Sequence, residues 1–507
     1  MPKWPVARTI YDMTASALAL SSPRGRWVVA ATVLGSSLAM LDGTVVNVAL
    51  PRIGSDLGAE VSGLQWTLSG YTLTLASFIL LGGALGDRLG RRRVFVWGTV
   101  WFAIASALCA FAPTVNVLIA ARVLQGVGAA LLTPGSLAII SASFDEDDRG
   151  AAIGLWSGLG GVAAAVGPML GGWLVDFAGW RSVFFINLPL AVAVVWVAAR
   201  HVPETRDPHP PERLDIPGSA LAAVGLGALT YGLIEKVTWT AIAGAVLMLA
   251  FVLVERRSPY ALVPSSLFAS RVFVAANLVT LAVYAALGGV FFLLMLQLQI
   301  VSGYSPLAAG MSSLPITILM LLLSSRAGRW AQVHGPLVPM SVGPLLAAAG
   351  LLLMLRIGPD APYLTEVLPA VLVFGLGLST LVAPLTVAVL GSVSTDQAGI
   401  ASGVNNAVAR TSQLLAVAAL PALAGIGTGA LADPTSFASG FRIAMGICAG
   451  LLVAGAAISL VMIPRTAKPR PGEPQPEKAL EETLGETVAC KPRCDVTAPA
   501  VQPPPQR

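Results

Sequence analysis

Charge is scarce in this sequence. Asp, Glu, Lys and Arg together make up 11% of its 507 residues, against about one quarter in an ordinary globular domain. That scarcity excludes a water-soluble domain. With 55% of the residues hydrophobic and a mean hydropathy of +0.78, the chain calls for a lipid environment. Histidine is scarcer still: His201, His209 and His334 all fall in polar loops and none has the spacing of a metal ligand. No glycine-lysine phosphate loop occurs, which excludes ATP as an energy source. Of the 4 cysteines, Cys109 and Cys448 lie in apolar runs, while Cys490 and Cys494 lie in a polar C-terminal stretch. Two thiols without further ligands do not make a metal site, and disulfides are not expected there. No enzymatic chemistry remains, and no metal or cofactor is expected.

What the sequence does have is long apolar runs. A spanning helix needs about 20 apolar residues, and fourteen runs can be counted, centred near 38, 75, 103, 128, 162, 190, 225, 247, 286, 316, 346, 377, 412 and 452. The eighth, Thr240 to Val254, is the shortest. The fold class expected is an all-α, polytopic membrane protein. Because cytoplasmic loops retain Lys and Arg, orientation can be read from charge. With the N-terminus inside, five of the 31 Lys and Arg (Arg52, Arg181, Lys236, Arg356, Arg442) fall outside and two (Arg122, Arg410) fall within the membrane. The rest are cytoplasmic, and an even helix count returns the C-terminus inside. The net charge of +5 therefore reflects topology, and no nucleic-acid partner is expected. ALALSS near the N-terminus resembles a signal-peptidase site but precedes the apolar run, so cleavage there is not expected.

The chain is divided on composition as follows: a cytoplasmic N-terminal segment (1–26), a six-helix bundle (27–199), a charged, Pro-rich linker RHVPETRDPHPPERLD (200–215), two extra helices (216–254), a second linker (255–271), a second six-helix bundle (272–464) and a Pro-rich, disordered cytoplasmic tail (465–507). Internal repetition supports the two bundles. Gly83 and Gly90 are seven apart in GALGDRLGRRRVF, as are Gly328 and Gly335 in GRWAQVHG. Gly126, Gly150 and Gly154 recur as Gly375, Gly399 and Gly403 at a constant offset of 249 (375 − 126). Such repeats are expected where two bundles rock about a central site.

The motifs LDGTVVNVALP (41–51), GALGDRLGRRRVF (83–95), RVLQGVGAALLTP (122–134) and GPMLGG (167–172) resemble the signature motifs of the major facilitator superfamily. The Gly-Pro-rich fifth helix and the extra central pair are similar to its fourteen-helix drug:proton antiporter branch. GWRSVFFINLP (179–189), SGYSPLAAG (302–310) and GIASGVNNAVAR (399–410) extend the resemblance over most of the chain except the two tails.

In the loop after the second helix, Arg91, Arg92 and Arg93 read as a positive-inside anchor. The resemblance implies a second reading, a conformational latch made by Asp87, Arg88, Arg91 and Arg92, with Gly83 and Gly90 allowing the turn and close helix approach. Asp145, Glu146 and Asp147, ending helix four on the same side, are the expected partners. Gln332 replaces the aspartate in the second copy, so the latch is expected on one half only. Along the fifth helix, Gly154, Gly158, Gly161, Gly167, Gly171 and Gly172 form a surface for close packing, and Pro168 bends the helix. The resemblance adds that this motif seals the halves and acts as a hinge tied to export. The family often carries glycine where this chain has Ala163.

Two buried charges remain. At 1.5 Å per residue, Asp42 lies about 12 Å and Arg122 about 10 Å below the outer ends of their helices. An unpaired charge in a bilayer costs at least about 2.5 kcal/mol, so the two are expected to pair. One reading is a static salt bridge. The other makes Asp42 a proton site, with burial favouring its neutral form, Arg122 its charged form, and Gln125 as neighbour. Arg410 has no acidic residue at its depth. Water, Asn405, Asn406, a backbone carbonyl or a substrate remain as its partners, and Asn47, Asn405, Asn406 and Arg410 are the candidate cavity residues.

The resemblance and the buried carboxylate together lead to the expectation of a proton-coupled antiporter that exports hydrophobic small molecules by alternating access. It is expected to act as a monomer in the inner (plasma) membrane, with drug or antibiotic resistance as the consequence. Its partners would be the small molecule, the proton and the bilayer. A dedicated exporter of an endogenous metabolite or lipid, and a non-transporting receptor or scaffold, are the alternatives.

Overall fold

The computed structural model describes residues 18–207, 215–258, 263–394, 397–427 and 429–464. The tail from 465, most of the N-terminal segment, and His209, Cys490 and Cys494 lie outside the described residues.

Several helices begin where the sequence offers a capping oxygen. Ser22 accepts from the Gly25 N–H at 3.0 Å ahead of α1 (Pro23–Leu57), and Thr114 from Val117 at 3.4 Å ahead of α4 (Val115–Ser143). Asp215 accepts from Gly218 at 2.9 Å ahead of α8 (Ile216–Ile234), and Asp433 from Thr435 at 3.0 Å ahead of α16 (Pro434–Met462). These oxygens satisfy backbone donors that hydrocarbon cannot. Between them run α2 (Val61–Leu89), α3 (Arg91–Ala110), α5 (Glu146–Ala178), α6 (Ser182–Phe185), α7 (Asn187–His201) and α9 (Thr238–Glu255). The second half holds α10 (Arg271–Leu296), α11 (Pro306–Ser312), α12 (Leu314–His334), α13 (Leu337–Met354), α14 (Leu368–Leu390) and α15 (Ala398–Leu423). No strand occurs among the described residues beyond an isolated bridge between Leu18 and Phe144.

Thirteen helical stretches among the described residues are long and apolar enough to cross a membrane. The run expected near 412 is the exception. Its helix α15 has 26 residues, but Asn405, Asn406, Arg410 and Gln413 dilute its apolar character. The run near 190 is broken into α6 and α7, because Pro189 has no N–H for the Phe185 carbonyl and its ring crowds that oxygen.

Packing sorts the helices into two groups. In the first, α4 lies against α2 and α3, and α1 against α5 and α7; in the second, α14 lies against α12 and α13, and α10 against α15 and α16. Close approach depends on missing side chains: a β-carbon at Gly128 would sit 2.7 Å from the Phe102 nitrogen, and one at Gly350 would sit 2.6 Å from Phe374 Cα. The extra pair α8 and α9 packs together, and α8 rests on α2 and α15. Trp239, Ile242, Val246 and Leu249 of α9 are exposed, as a lipid-facing helix requires.

Candidate functional site

Asp42 and Arg122 meet where α1, α3, α4 and α7 converge. Both side chains are completely buried and form a short ion pair from Arg122 Nη1 to Asp42 Oδ2. The other carboxylate oxygen, Oδ1, accepts from Gln125 Nε2 at 2.8 Å and from Asn187 Nδ2 at 3.1 Å. Ser106 Oγ receives the same two amides at 2.8 and 3.3 Å. Arg122 Nε donates to the Thr67 carbonyl at 3.0 Å, Nη1 also reaches Gln125 Oε1 at 2.6 Å, and the guanidinium carbon lies 4.3 Å from the centre of the Tyr71 ring. Gly126 makes this possible. A β-carbon there would lie 3.1 Å from the Tyr71 carbonyl carbon, so α2 and α4 can approach closely enough for Arg122 to reach the backbone of α2.

Such a network explains how full charges persist in a bilayer, since every carboxylate oxygen has a donor. Arg122 Nη2 is buried without a hydrogen-bond partner among the described residues.

Arg122 also lines a cavity of 780 Å³ between the two helix groups, within the usual range of about 300–1,000 Å³ for small-molecule sites. Asp42 does not line it, so the arginine stands between the carboxylate and the cavity. Of the four candidate cavity residues, Asn47 and Arg410 line it. Asn405 and Asn406 do not: Asn405 donates to Asn277 and Thr280 of α10, at 3.2 and 2.7 Å, and Asn406 to the Ser402 carbonyl.

One end of the cavity is sealed. Among the described residues, the hydrogen bonds joining the two groups lie near the C-terminal end of α5. Gln65 donates to the Val417 and Ala418 carbonyls at 2.7 and 3.0 Å, Gln299 to the Val48 carbonyl at 3.0 Å, and Asp176 accepts from Leu307 N–H at 2.9 Å. Gly172 packs so tightly that a β-carbon would lie 2.6 Å from Leu307 Cα, and Gly171 is pressed against Val45. Gly310 lies against the Pro168 carbonyl carbon, at 2.8 Å from its own would-be β-carbon. Toward the other end, Gly150, Gly154, Gly158 and Gly161 have open space in the same position, and Gly154 and Gly158 face the cavity. Thus α5 is clamped against the second group near its C-terminal end, whereas toward its N-terminal end these glycines meet open space and the helix is held by the first group, Asp148 accepting from the Leu20 N–H at 2.6 Å and Trp156 Nε1 donating to Ser36 Oγ at 2.9 Å.

At that N-terminal end stands the turn between α2 and α3. Gly90 takes a φ of 114°, in the region that favours glycine. Asp87 pairs with Arg91 at 2.8 Å, one turn on, whereas Arg88 is exposed and has no ion pair among the described residues. The acidic partner of the other arginines is Glu204, in the linker after α7. Its carboxylate accepts from the Arg92 N–H at 3.1 Å, lies 3.6 Å from Arg92 Nε and 3.7 Å from Arg93 Nε, and caps an N-terminus that Gly90 leaves without a side chain. Backbone bonds from Arg91 N–H to Thr205 at 2.9 Å and from Asp207 N–H to Asp87 at 3.1 Å fasten the linker to the turn. Of the expected partners, Asp145 stands at the N-cap of α5 and has no ion pair among the described residues, and the side chains of Glu146 and Asp147 lie outside the described ones. A β-carbon at Gly83 would lie 3.6 Å from Pro134 Cβ of α4.

Sequence reasoning missed Asn187, Ser106, Tyr71 and Glu204. Asn187 alone carried a signal, as an amide interrupting the apolar run FFINLP. Among the described residues, no group of His, Cys, Asp and Glu is arranged to hold a metal.

The Major Facilitator Superfamily model matches residues 32–417. The chain is 35% identical over 463 residues to the puromycin resistance protein of Streptomyces alboniger, covering 87% of this chain and 92% of that protein. It is 37% identical over 425 residues to a probable actinorhodin transporter of Streptomyces coelicolor, covering 78% and 72%. Among solved structures, a bacterial homologue of the human lysosomal transporter Spinster superposes with a TM-score of 0.63 at 18% identity, covering 87% of this chain and 97% of that one. A D-xylose–proton symporter superposes with 0.64 at 15%, covering 87% and 99%. At these identities the superpositions speak for the fold.

Proposed function

Because the chain belongs to the major facilitator superfamily, we propose that it exports drug-like or antibiotic small molecules in exchange for protons. The observation that carries this reading is the buried Asp42–Arg122 pair, set directly behind the wall of a cavity that is sealed at one end and loose at the other. ATP has no binding loop here, so the energy would come from an ion gradient, and Asp42 is the carboxylate positioned to couple to it. With both termini in the cytoplasm of the plasma membrane, the N-terminal end of α5 faces inward, and the observed state would be the one that loads substrate from inside the cell. Rocking of the two bundles would close Gly150, Gly154 and Gly158 against the second half and open the contacts of Gly172 and Gly310. The motion would strain the Asp42–Arg122 contact and so link proton uptake to access. We take the monomer as the working unit.

Relatives named for resistance support a role in drug efflux. A relative named "tetracenomycin C resistance and export protein" supports a second reading, a dedicated exporter of one endogenous product through the same mechanics. The test is uptake of several dyes and antibiotics into everted membrane vesicles, with and without an imposed pH gradient, acidic inside. Uptake that needs the gradient supports exchange. Uptake that ignores it excludes proton coupling.

A further inference from the structure

We propose that the cavity takes amphipathic organic acids: an apolar body carrying an ionised acidic group whose charge is received by Arg410. This rests on reading the protein as an exporter, and it names the chemical class exported. Among the described residues, two arginines, the fully buried Arg122 and the half-buried Arg410, border the cavity, and no carboxylate does.

The two arginines are not equivalent. Arg122 is balanced by Asp42 in a fully buried pair. Arg410 has no ion pair among the described residues. Its hydrogen bond runs to Gln413 Oε1, three residues along the same helix, at 3.5 Å. A half-buried guanidinium beside an apolar cavity within a bilayer is costly unless water or an anion meets it. Its planar fork matches a carboxylate or another oxyanion through two parallel hydrogen bonds. Gln413 also lines the cavity, and because it uses its oxygen toward Arg410, its amide nitrogen is a further donor beside the guanidinium. The same wall supplies Phe291, Met295 and Met320, an aromatic face and two adaptable thioethers suited to an apolar body. A cation finds no equivalent, since the nearby carboxylate of Asp42 is taken up by Arg122, Gln125 and Asn187.

The experiment is equilibrium binding to the purified full-length protein in detergent, read by fluorescence anisotropy. Fluorescein and rhodamine 6G share a xanthene body and differ in the sign of their charge; Nile red is neutral. Fluorescein should bind about tenfold more tightly than rhodamine 6G, and Arg410→Gln should weaken fluorescein by about ten- to hundredfold while sparing Nile red. Arg410→Lys, which keeps the charge without the fork, should recover part of the loss. Equal or tighter binding of rhodamine 6G by the unaltered protein overturns the proposal, and that comparison needs no variant to fold. Fluorescein binding that neither variant changes also overturns it. Gradient-driven uptake of the same dyes into vesicles separates the two readings. Fluorescein bound through Arg410 but not transported defeats export and leaves the acid site standing. Gradient-driven transport without preference for the acid defeats the acid site and leaves export standing.

Discussion

Arg122 and Asp42, 80 residues apart in the chain, form an ion pair from which water is wholly excluded, and only the arginine reaches the cavity wall. Anything that moves in the cavity therefore meets the carboxylate through the guanidinium.

Asp42→Asn preserves shape but cannot titrate, and it keeps only one of the two accepting oxygens. It should abolish gradient-driven transport while leaving the protein folded and able to bind Nile red. Transport measured in proteoliposomes under an imposed pH gradient checks this; normal proton-coupled uptake by the variant would remove Asp42 from the mechanism.

Asn187→Leu takes away one of the two amides that donate to both Asp42 Oδ1 and Ser106 Oγ, leaving Gln125 as the other. The loss of a buried hydrogen bond to a charged group should cost about 1.5–3 kcal/mol, seen as a lower melting temperature. Gradient-driven transport should fall as well, and unchanged transport by a destabilised protein would leave Asn187 a packing role only.

The two ends of α5 predict opposite effects. Gly172→Leu would drive a side chain into the backbone of α11, so it should open the sealed end and raise labelling of cysteines introduced there. At Gly158 a β-carbon meets no atom within 4 Å in the present state, so Gly158→Leu starts from open space. It should fold normally yet resist closure at the N-terminal end. Site-directed cysteine accessibility from both faces distinguishes them, and like effects from both variants would contradict a helix clamped against the second group at its C-terminal end only.

At the α2–α3 turn, Glu204→Gln keeps the cap on Arg92 but loses the ion pairs to Arg92 and Arg93. These are partly exposed, so the cost should be small, about 0–1 kcal/mol. Asp87→Asn should alter the balance of accessibility between the two faces and slow turnover. If neither accessibility nor turnover changes, the arginines serve as a membrane anchor alone.

The spans were legible because a bilayer imposes its own thickness on the sequence, and Asp42 and Arg122 because a charge in hydrocarbon demands a partner at equal depth. Glu204 was not legible, since nothing in a charged linker says which turn it will fold back upon. Ser106 and Tyr71 look like ordinary members of apolar helices until the helices cross. Asn405 shows the converse: it reads as a polar residue meant for the cavity, but its rotation about α15 turns it to Asn277 and Thr280 instead. Periodicity gives a helix its faces and leaves open which neighbour each face meets.

The most direct measurement is a double-mutant cycle on transport with Asp42→Asn, Arg122→Ala and the pair combined. Each residue needs the other as its buried partner, so either single change should stop transport. Arg122→Lys should retain part of the activity with a shifted pH optimum. If the two residues act as one unit, the double variant is hardly worse than either single one. Residual transport in both single variants, with multiplicative loss in the double, would show that they act independently and would contradict the coupling.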